Sequence, residues 1–182
     1  MYTGNNPSAK RSQSELSQAF LRLLNQYSFS EITITMICQE AVLSRQTFYQ
    51  MFNSKDEIIR YLIINDYGDF EEGILKKENI NLEEFAEYTF TFFFNKKTLL
   101  KLLIQQGLQH LFIEEVQNKL AKVLRLFKHD NIELESSIYA FLVGGLSAMI
   151  LHQIEHDDID KIHHNAVTFS NLLGNPHIIL NK

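Results

Sequence analysis

Apolar residues recur at helical spacing along most of the chain, and this pattern predicts helices rather than strands. The first predicted helix begins at a capping box, in which Ser12 and Glu15 each satisfy a backbone N–H of the first turn. Its apolar residues share one face: Leu16, Phe20, Leu23, Leu24 and Tyr27. The residues before it lack this periodicity, so we expect a flexible arm over residues 1–11.

Two short helices and a longer one are predicted next. A helix capped by Thr33 turns four apolar residues inward: Ile34, Ile37, Cys38 and Ala41. The periodicity then breaks, and Ser44 is expected to cap a third helix over Arg45–Met51. A second capping box, formed by Ser54 and Glu57, is expected to open a long fourth helix.

The rest of the chain also shows helical periodicity and no strand-like alternation. The predicted helices cover residues 81–94, 98–106, a long segment ending near 127, 133–155 and 159–173. Gly174 and Pro176 are expected to end the last of them, since neither residue continues a helix well. The predicted fold class is therefore all-α.

The second and third predicted helices form a helix-turn-helix pattern, because a turn of three or four residues joins them. Phe48 and Phe52, spaced i and i+4, can bury one face of the third helix. Its other face offers donors for base edges and phosphates: Arg45, Gln46, Thr47, Tyr49 and Gln50. The helix starts at Thr33 and Ser54 add backbone N–H groups suited to phosphate, and Lys55 adds a positive charge.

From about Ser12 to Ile64 the sequence resembles the TetR family of transcriptional regulators. The resemblance is densest from Ile32 to Ile58. There the family usually has Ala-Gly-Val-Ser at the turn, Thr-(Leu/Phe)-Tyr and His-Phe in the third helix, and Ser-Lys-(Glu/Asp)-Glu at the start of the fourth. Val42 replaces the turn glycine, so the backbone there either keeps a negative φ or is strained. Gln46 replaces a common glycine and Met51 a common histidine.

The resemblance implies an all-helical homodimer of about nine helices that binds palindromic operator DNA. It implies a DNA-binding domain over residues 12–53 and an effector-binding and dimerisation domain over residues 54–182. The last two helices, about residues 133–173, would form the dimer. The implied DNA contacts towards the groove are Arg45, Gln46, Thr47 and Gln50, and those towards phosphates are Thr33, Tyr49 and Lys55. Ser44 is a further implied DNA contact. The alternative is that these are solvated residues of a small helix.

Charge and composition limit where nucleic acid could bind. The net charge is −5, but residues 1–60 carry six basic and five acidic groups, so the acidity lies in the C-terminal two-thirds. The single cysteine, Cys38, excludes a disulfide framework and a cysteine-cluster metal site. The polar first 15 residues indicate no signal peptide, and the 14-residue apolar run from Ile138 to Leu151 is too short to span a membrane. We expect a cytoplasmic protein.

Residues 85–94 are unusually aromatic and could line an apolar pocket for an unknown small-molecule effector. The candidate ligand contacts are Phe70, Tyr88, Phe93, His110 and Tyr139. The alternative is that these aromatic side chains only fill the core. A regulator that answers to a protein partner instead of a small molecule also stays open, and no cofactor is expected.

The segment from His152 to His156 has the His-x-x-Glu-His pattern of inverted zinc peptidases. The alternative function it suggests is a metal-dependent hydrolase that uses His152, Glu155 and His156. Only 26 residues follow, too few for the further catalytic groups of such enzymes. We therefore expect a polar helix end at the dimer interface, with no metal and no catalysis.

Overall fold

Polar N-caps and apolar periodicity produce helices throughout the computed structural model, which describes residues 1–65, 67–77, 80–124 and 136–174. Within these residues there is no strand, so the all-α prediction is confirmed. The described helices are α1 (Pro7–Leu24), α2 (Ile34–Ala41), α3 (Arg45–Met51), α4 (Lys55–Ile64), α5 (Tyr67–Leu75), α6 (Leu82–Phe94), α7 (Lys97–Gln105), α8 (Gln109–Leu124), α9 (Ser136–Glu155) and α10 (Ile162–Gly174), with a 3₁₀ turn at Ile159–Lys161.

The chain divides into two compact units, Met1–Asp66 and Tyr67–Lys182. The predicted fourth helix is observed as α4, but with 10 residues it is shorter than expected. No helix was predicted over α5, which begins the second unit. The described residues hold ten α-helices where about nine were expected. The functional division at residue 54 stays a prediction.

In the first unit, α1 packs against α2, α3 and α4. Phe20, Phe48 and Phe52 are almost fully buried between these helices. For Phe48 and Phe52, this burial confirms the prediction. The rings of Phe48 and Phe52 lie 6.1 Å apart between centroids. Apolar burial of this kind fixes the orientation of α3, so that its opposite face stays exposed.

The start of α1 differs from its prediction. Pro7 stands at the first helical position, and the Asn6 side chain accepts a hydrogen bond from the Ser8 N–H at 2.9 Å. Ser12 therefore lies inside the helix, and the predicted capping box there is wrong. Residues 7–11 are helical, and the Tyr2 N–H donates to the Met51 carbonyl at 2.8 Å, so the first residues contact the end of α3.

In the second unit, α9 packs against α6, α7, α8 and α10, and α10 also packs against α6. Phe90, Phe112, Leu146 and Ile150 are buried in this core. The bounds of α6, α7, α9 and α10 agree with the sequence prediction to within three residues. The polar link predicted over residues 128–132 lies outside the described residues.

Candidate functional site

Two hydroxyl caps build the helix-turn-helix. Thr33 Oγ1 accepts a hydrogen bond from the Met36 N–H at 3.2 Å, and Ser44 Oγ accepts one from the Thr47 N–H at 3.0 Å. Both caps are those that the sequence predicts, because capping depends only on residues within one turn. The two caps fix where α2 and α3 begin, and therefore which residues stand at the N-terminal end of α3.

The exposed face of α3 carries the predicted base-reading residues. Ser44, Arg45, Gln46, Tyr49 and Gln50 are exposed, whereas Phe48 and Met51 are buried. Thr47 is half-buried, and its hydroxyl lies 2.9 Å from the Ser44 hydroxyl. The structure therefore places the predicted groove residues together at one short helix, where the side chains of Arg45, Gln46 and Gln50 are exposed to solvent.

The turn between α2 and α3 is strained at Val42. This residue adopts the left-handed conformation, with φ 55° and ψ 41°. The Val42 N–H donates to the Gln39 carbonyl at 3.1 Å, and the Leu43 N–H donates to the Cys38 carbonyl at 2.9 Å. These two bonds form a Schellman motif, whose left-handed position is usually glycine. Of the two possibilities that the sequence left open at Val42, the positive φ is the one observed.

Lys55 connects α4 to the loop before α2. Its Nζ donates to the Phe29 carbonyl and to the Ile32 carbonyl, the latter at 2.9 Å, and lies 4.1 Å from the centroid of the Phe29 ring. Burial lowers the pKa of the Lys55 ammonium, and the Asp56 carboxylate opposes that effect. These contacts come from residues more than 20 positions away, so the sequence pattern did not indicate them. The phosphate contact predicted for Lys55 stays a prediction.

Glu57 ties the start of α4 to the first residue of the chain. Its backbone N–H donates to Ser54 Oγ at 3.3 Å, as predicted, but its carboxylate accepts from the Asn53 N–H at 2.9 Å and not from the N-cap residue. The Met1 amino group lies 2.7 Å from the same carboxylate. Burial alone would raise the pKa of Glu57, but these donors outweigh it and lower the pKa to about 2.

In the second unit, aromatic rings gather around the buried Phe70. Its ring centroid lies 5.3 Å from that of Tyr88, 4.9 Å from that of Phe92 and 6.4 Å from that of Phe93. Gly73 allows this arrangement, because a Cβ at that position would collide with the Tyr88 hydroxyl. Three of the predicted effector contacts, Phe70, Tyr88 and Phe93, thus share one cluster. His110 is exposed on α8, and the side chain of Tyr139 lies outside the described residues.

Tyr67 borders the same cluster and was not predicted. Its ring lies 5.2 Å from that of Phe70, and the Lys119 Nζ lies 5.5 Å from its centroid. The side chain is 8% exposed, and its hydroxyl has no hydrogen-bond partner among the described residues. Burial, assisted by the Glu71 carboxylate, raises the pKa of this phenol. The hydroxyl is therefore an uncharged donor without a partner beside an aromatic cluster.

Comparison with known proteins decides what the N-terminal unit is. Residues 18–62 match the sequence model of the family described as bacterial regulatory proteins, tetR family. The chain carries a TetR-family domain. The match spans the C-terminal part of α1 and all of α2 and α3, together with most of α4. It assigns this TetR domain to DNA binding in transcription regulation.

One curated relative is the HTH-type dhaKLM operon transcriptional activator DhaS of Lactococcus lactis subsp. lactis (strain IL1403). It is 30% identical over 57 residues, which is 31% of this chain and 30% of that protein. The matched segment therefore spans under a third of the relative. Because the matched relative is a transcription regulator, this similarity agrees with the TetR assignment of the N-terminal unit.

Solved structures extend the likeness to the fold of most of the chain. Lin0861 from Listeria innocua superposes with a TM-score of 0.63 at 17% identity, covering 84% of this chain and 85% of that one. A dihydroxyacetone kinase operon activator, DhaS, superposes with a TM-score of 0.57 at 19% identity, covering 92% of this chain and 97% of that one. At these identities the likeness shows a shared fold.

The His-x-x-Glu-His segment, which lies outside the TetR domain, brings two imidazole rings together. The ring centroids of His152 and His156 lie 4.1 Å apart, and His156 Nδ1 lies 2.8 Å from the His152 carbonyl oxygen. Among the described residues, no group of three or more His, Cys, Asp or Glu side chains could hold a metal ion. His163 lies instead 3.2 Å from the Glu87 carboxylate. The family match and the curated relative both describe transcription regulators rather than hydrolases.

The apolar helix α9 raises the question of a membrane span. Within the described part of the chain, no helix has the length and hydropathy needed to cross a bilayer. Phe141 on α9 is nevertheless 67% exposed, and Ala140, Gly145 and Ala148 are exposed on the same helix. This face has no covering element within the described protomer.

Proposed function

We propose that this chain is a ligand-responsive transcriptional regulator that binds palindromic operator DNA as a homodimer, most simply as a repressor. The observation that carries the proposal is α3, whose apolar face is buried while its capped N-terminal end presents Arg45 and Gln46 to solvent. A short helix of this kind fits the major groove with its first residues against base edges. The cytoplasmic location stays a prediction from the sequence.

The residue types on α3 suggest how the operator is read. The Gln46 amide can pair with adenine through two hydrogen bonds, and the Arg45 guanidinium can pair with guanine in the same way. Thr47 and Gln50 offer further polar groups to the groove. The hydroxyls of Thr33, Ser44 and Tyr49, the backbone N–H groups at the helix starts and Lys55 can bind DNA phosphates. Phosphate contacts position the helix on the duplex but do not distinguish one base sequence from another.

The exposed face of α9 supports dimerisation. Phe141 presents its ring to solvent, and Gly145 has open space where a Cβ would stand. Two small exposed residues, Ala140 and Ala148, lie near it and leave room for a second helix. A partner protomer would bury this surface and place two copies of α3 on successive half-sites of a palindrome.

The aromatic cluster supports response to a small molecule. The Tyr67 hydroxyl lacks a partner beside Phe70, and a buried donor left unpaired costs free energy that a ligand oxygen or nitrogen could recover. The suited ligand is mostly apolar, with one hydrogen-bond acceptor. Such a ligand releases DNA only if it binds the DNA-incompetent state more tightly.

Selection of bound DNA from a random library tests the DNA-binding proposal. We expect enriched palindromes, and we expect Gln46→Ala to relax the preference at one base pair per half-site by about 1–3 kcal/mol. Gln39→Ala is the matched control, since Gln39 is exposed on α2 rather than α3. Failure to enrich any sequence, or an identical operator from wild type and Gln46→Ala, would contradict this assignment.

Transcription from the selected operator in vitro tests the direction of control. Repression that is relieved by an effector would support the proposal. Both DhaS relatives are named as activators, which favours the second candidate, an activator on the same operator. Protein-dependent stimulation of the transcript would establish that candidate instead.

A further inference from the structure

Val42 carries conformational strain. Its φ of 55° places a β-branched residue in the left-handed region, which is unfavourable for residues other than glycine. The isopropyl group is 89% exposed, so its burial inside the protein recovers almost none of this cost. Glycine would satisfy the same two hydrogen bonds without strain.

The same turn holds the Val42 side chain in one place. The Schellman bonds fix the backbone at residues 42 and 43, and Ser44 caps α3 directly afterwards. Val42 therefore stands two residues before the N-cap of α3, and Ser44 and Arg45, which follow in sequence, are also exposed. Strain that a structure keeps at a fixed, exposed position beside an interface is typical of a functional contact.

We propose that Val42 contacts the 5-methyl group of a thymine in the operator and so determines one base preference in each half-site. This inference rests on the proposed operator binding. Thymine is the partner because its methyl is the one apolar group that a base pair presents in the major groove. In the free protein Val42 exposes an apolar surface, and the contact would remove that surface and the methyl from water together.

Replacing single thymines of the selected operator with deoxyuridine tests the contact, because this change removes only the 5-methyl group. We expect one thymine per half-site at which the replacement weakens wild-type binding about fourfold, the value for burial of one methyl-sized group. The same replacement should leave the affinity of Val42→Ala and Val42→Gly unchanged. The remaining thymines should behave alike in all three proteins.

The two variants separate the contact from the strain. Val42→Ala keeps a Cβ at positive φ, whereas Val42→Gly removes the strain and should raise the melting temperature. Equal deoxyuridine effects in wild type and both variants, or no sensitive thymine, would overturn the contact while operator binding stands. Failure to select any operator with wild type would instead overturn the proposed function, and this contact with it.

Discussion

Lys55 shows how one side chain can serve both the fold and an interface. An ammonium group has three N–H donors, and the Phe29 and Ile32 carbonyls engage two of them. The third is the donor that we propose for a phosphate. Structural and DNA-binding roles are therefore compatible at this position, although sequence spacing indicates only the second.

Changing Lys55 to Ala should affect stability and DNA binding together. The loss of two charge-assisted hydrogen bonds should lower the free energy of unfolding by about 1–3 kcal/mol, measured by urea titration. Binding to all DNA sequences should weaken alike, and the salt slope should fall by about one. Lys10→Ala, at an exposed position of α1, is the control for stability. A loss confined to one operator would contradict the phosphate role.

Glu57 should make the N-terminal unit sensitive to acid. Because its folded-state pKa of about 2 lies below the ordinary value of 4.5, its stabilising effect is complete above pH 4.5 and is lost as the pH falls towards 2. Glu57→Gln should therefore flatten the dependence of the unfolding free energy on pH in that window. Glu15→Gln is the control, since its partner Arg11 is largely exposed and such pairs contribute little. Equal slopes in wild type and Glu57→Gln would refute the assignment.

Among the secondary-structure elements, features that are determined within one helical turn could be predicted from the sequence, whereas features that depend on tertiary contacts could not. Thr33 and Ser44 cap α2 and α3 as predicted, since capping is decided within one turn. The start of α1 was misplaced because Asn6 and Pro7 supply an earlier cap and first turn than Ser12. Sequence reasoning brought Phe70, Tyr88 and Phe93 together as candidates. It missed Tyr67, because an unpaired hydroxyl is defined by its surroundings and not by its spacing.

Tyr67, the first residue of α5, yields a prediction on stability. Tyr67→Phe removes a buried hydroxyl that has no hydrogen-bond partner among the described residues, so the free protein should gain up to about 1–3 kcal/mol of stability. Phe93→Ala should instead lose about 3–5 kcal/mol, because the ring is buried against Phe70 and Phe112. Thermal melts and denaturant titrations measure both changes. A Tyr67→Phe variant less stable than wild type would show that the hydroxyl has a partner.

The C-terminal end of α9 yields a prediction on metal. His152 and His156 supply two rings, and the described residues add no third ligand. Chelation by EDTA should therefore change neither the melting temperature nor DNA binding. Elemental analysis of the purified protein offers an independent check. Stoichiometric zinc that is lost in His156→Ala would revive the hydrolase alternative.

For the whole molecule, we expect the exposed face of α9 to form the proposed dimer interface. Gly145 has no atom within 4 Å of its Cβ position, so a larger side chain fits within the protomer. Gly145→Leu should thus leave each protomer folded but split or distort the dimer, as measured by sedimentation. Gly68→Leu on α5 is a matched control, because that position is equally open. A Gly145→Leu variant that sediments as a normal dimer with full operator affinity would exclude this interface.

The ammonium group of Lys55 also couples two segments mechanically. It attaches the first residue of α4 to the Ile32 carbonyl, directly before Thr33 at the start of α2. If α4 shifts along its axis, the bond must either break or draw the start of α2 with it. A displacement of α4 therefore reaches the start of α2 through one linkage, without passing through α3. In the regulator that we propose, loosening that linkage would uncouple a movement of α4 from DNA release while leaving base recognition unchanged.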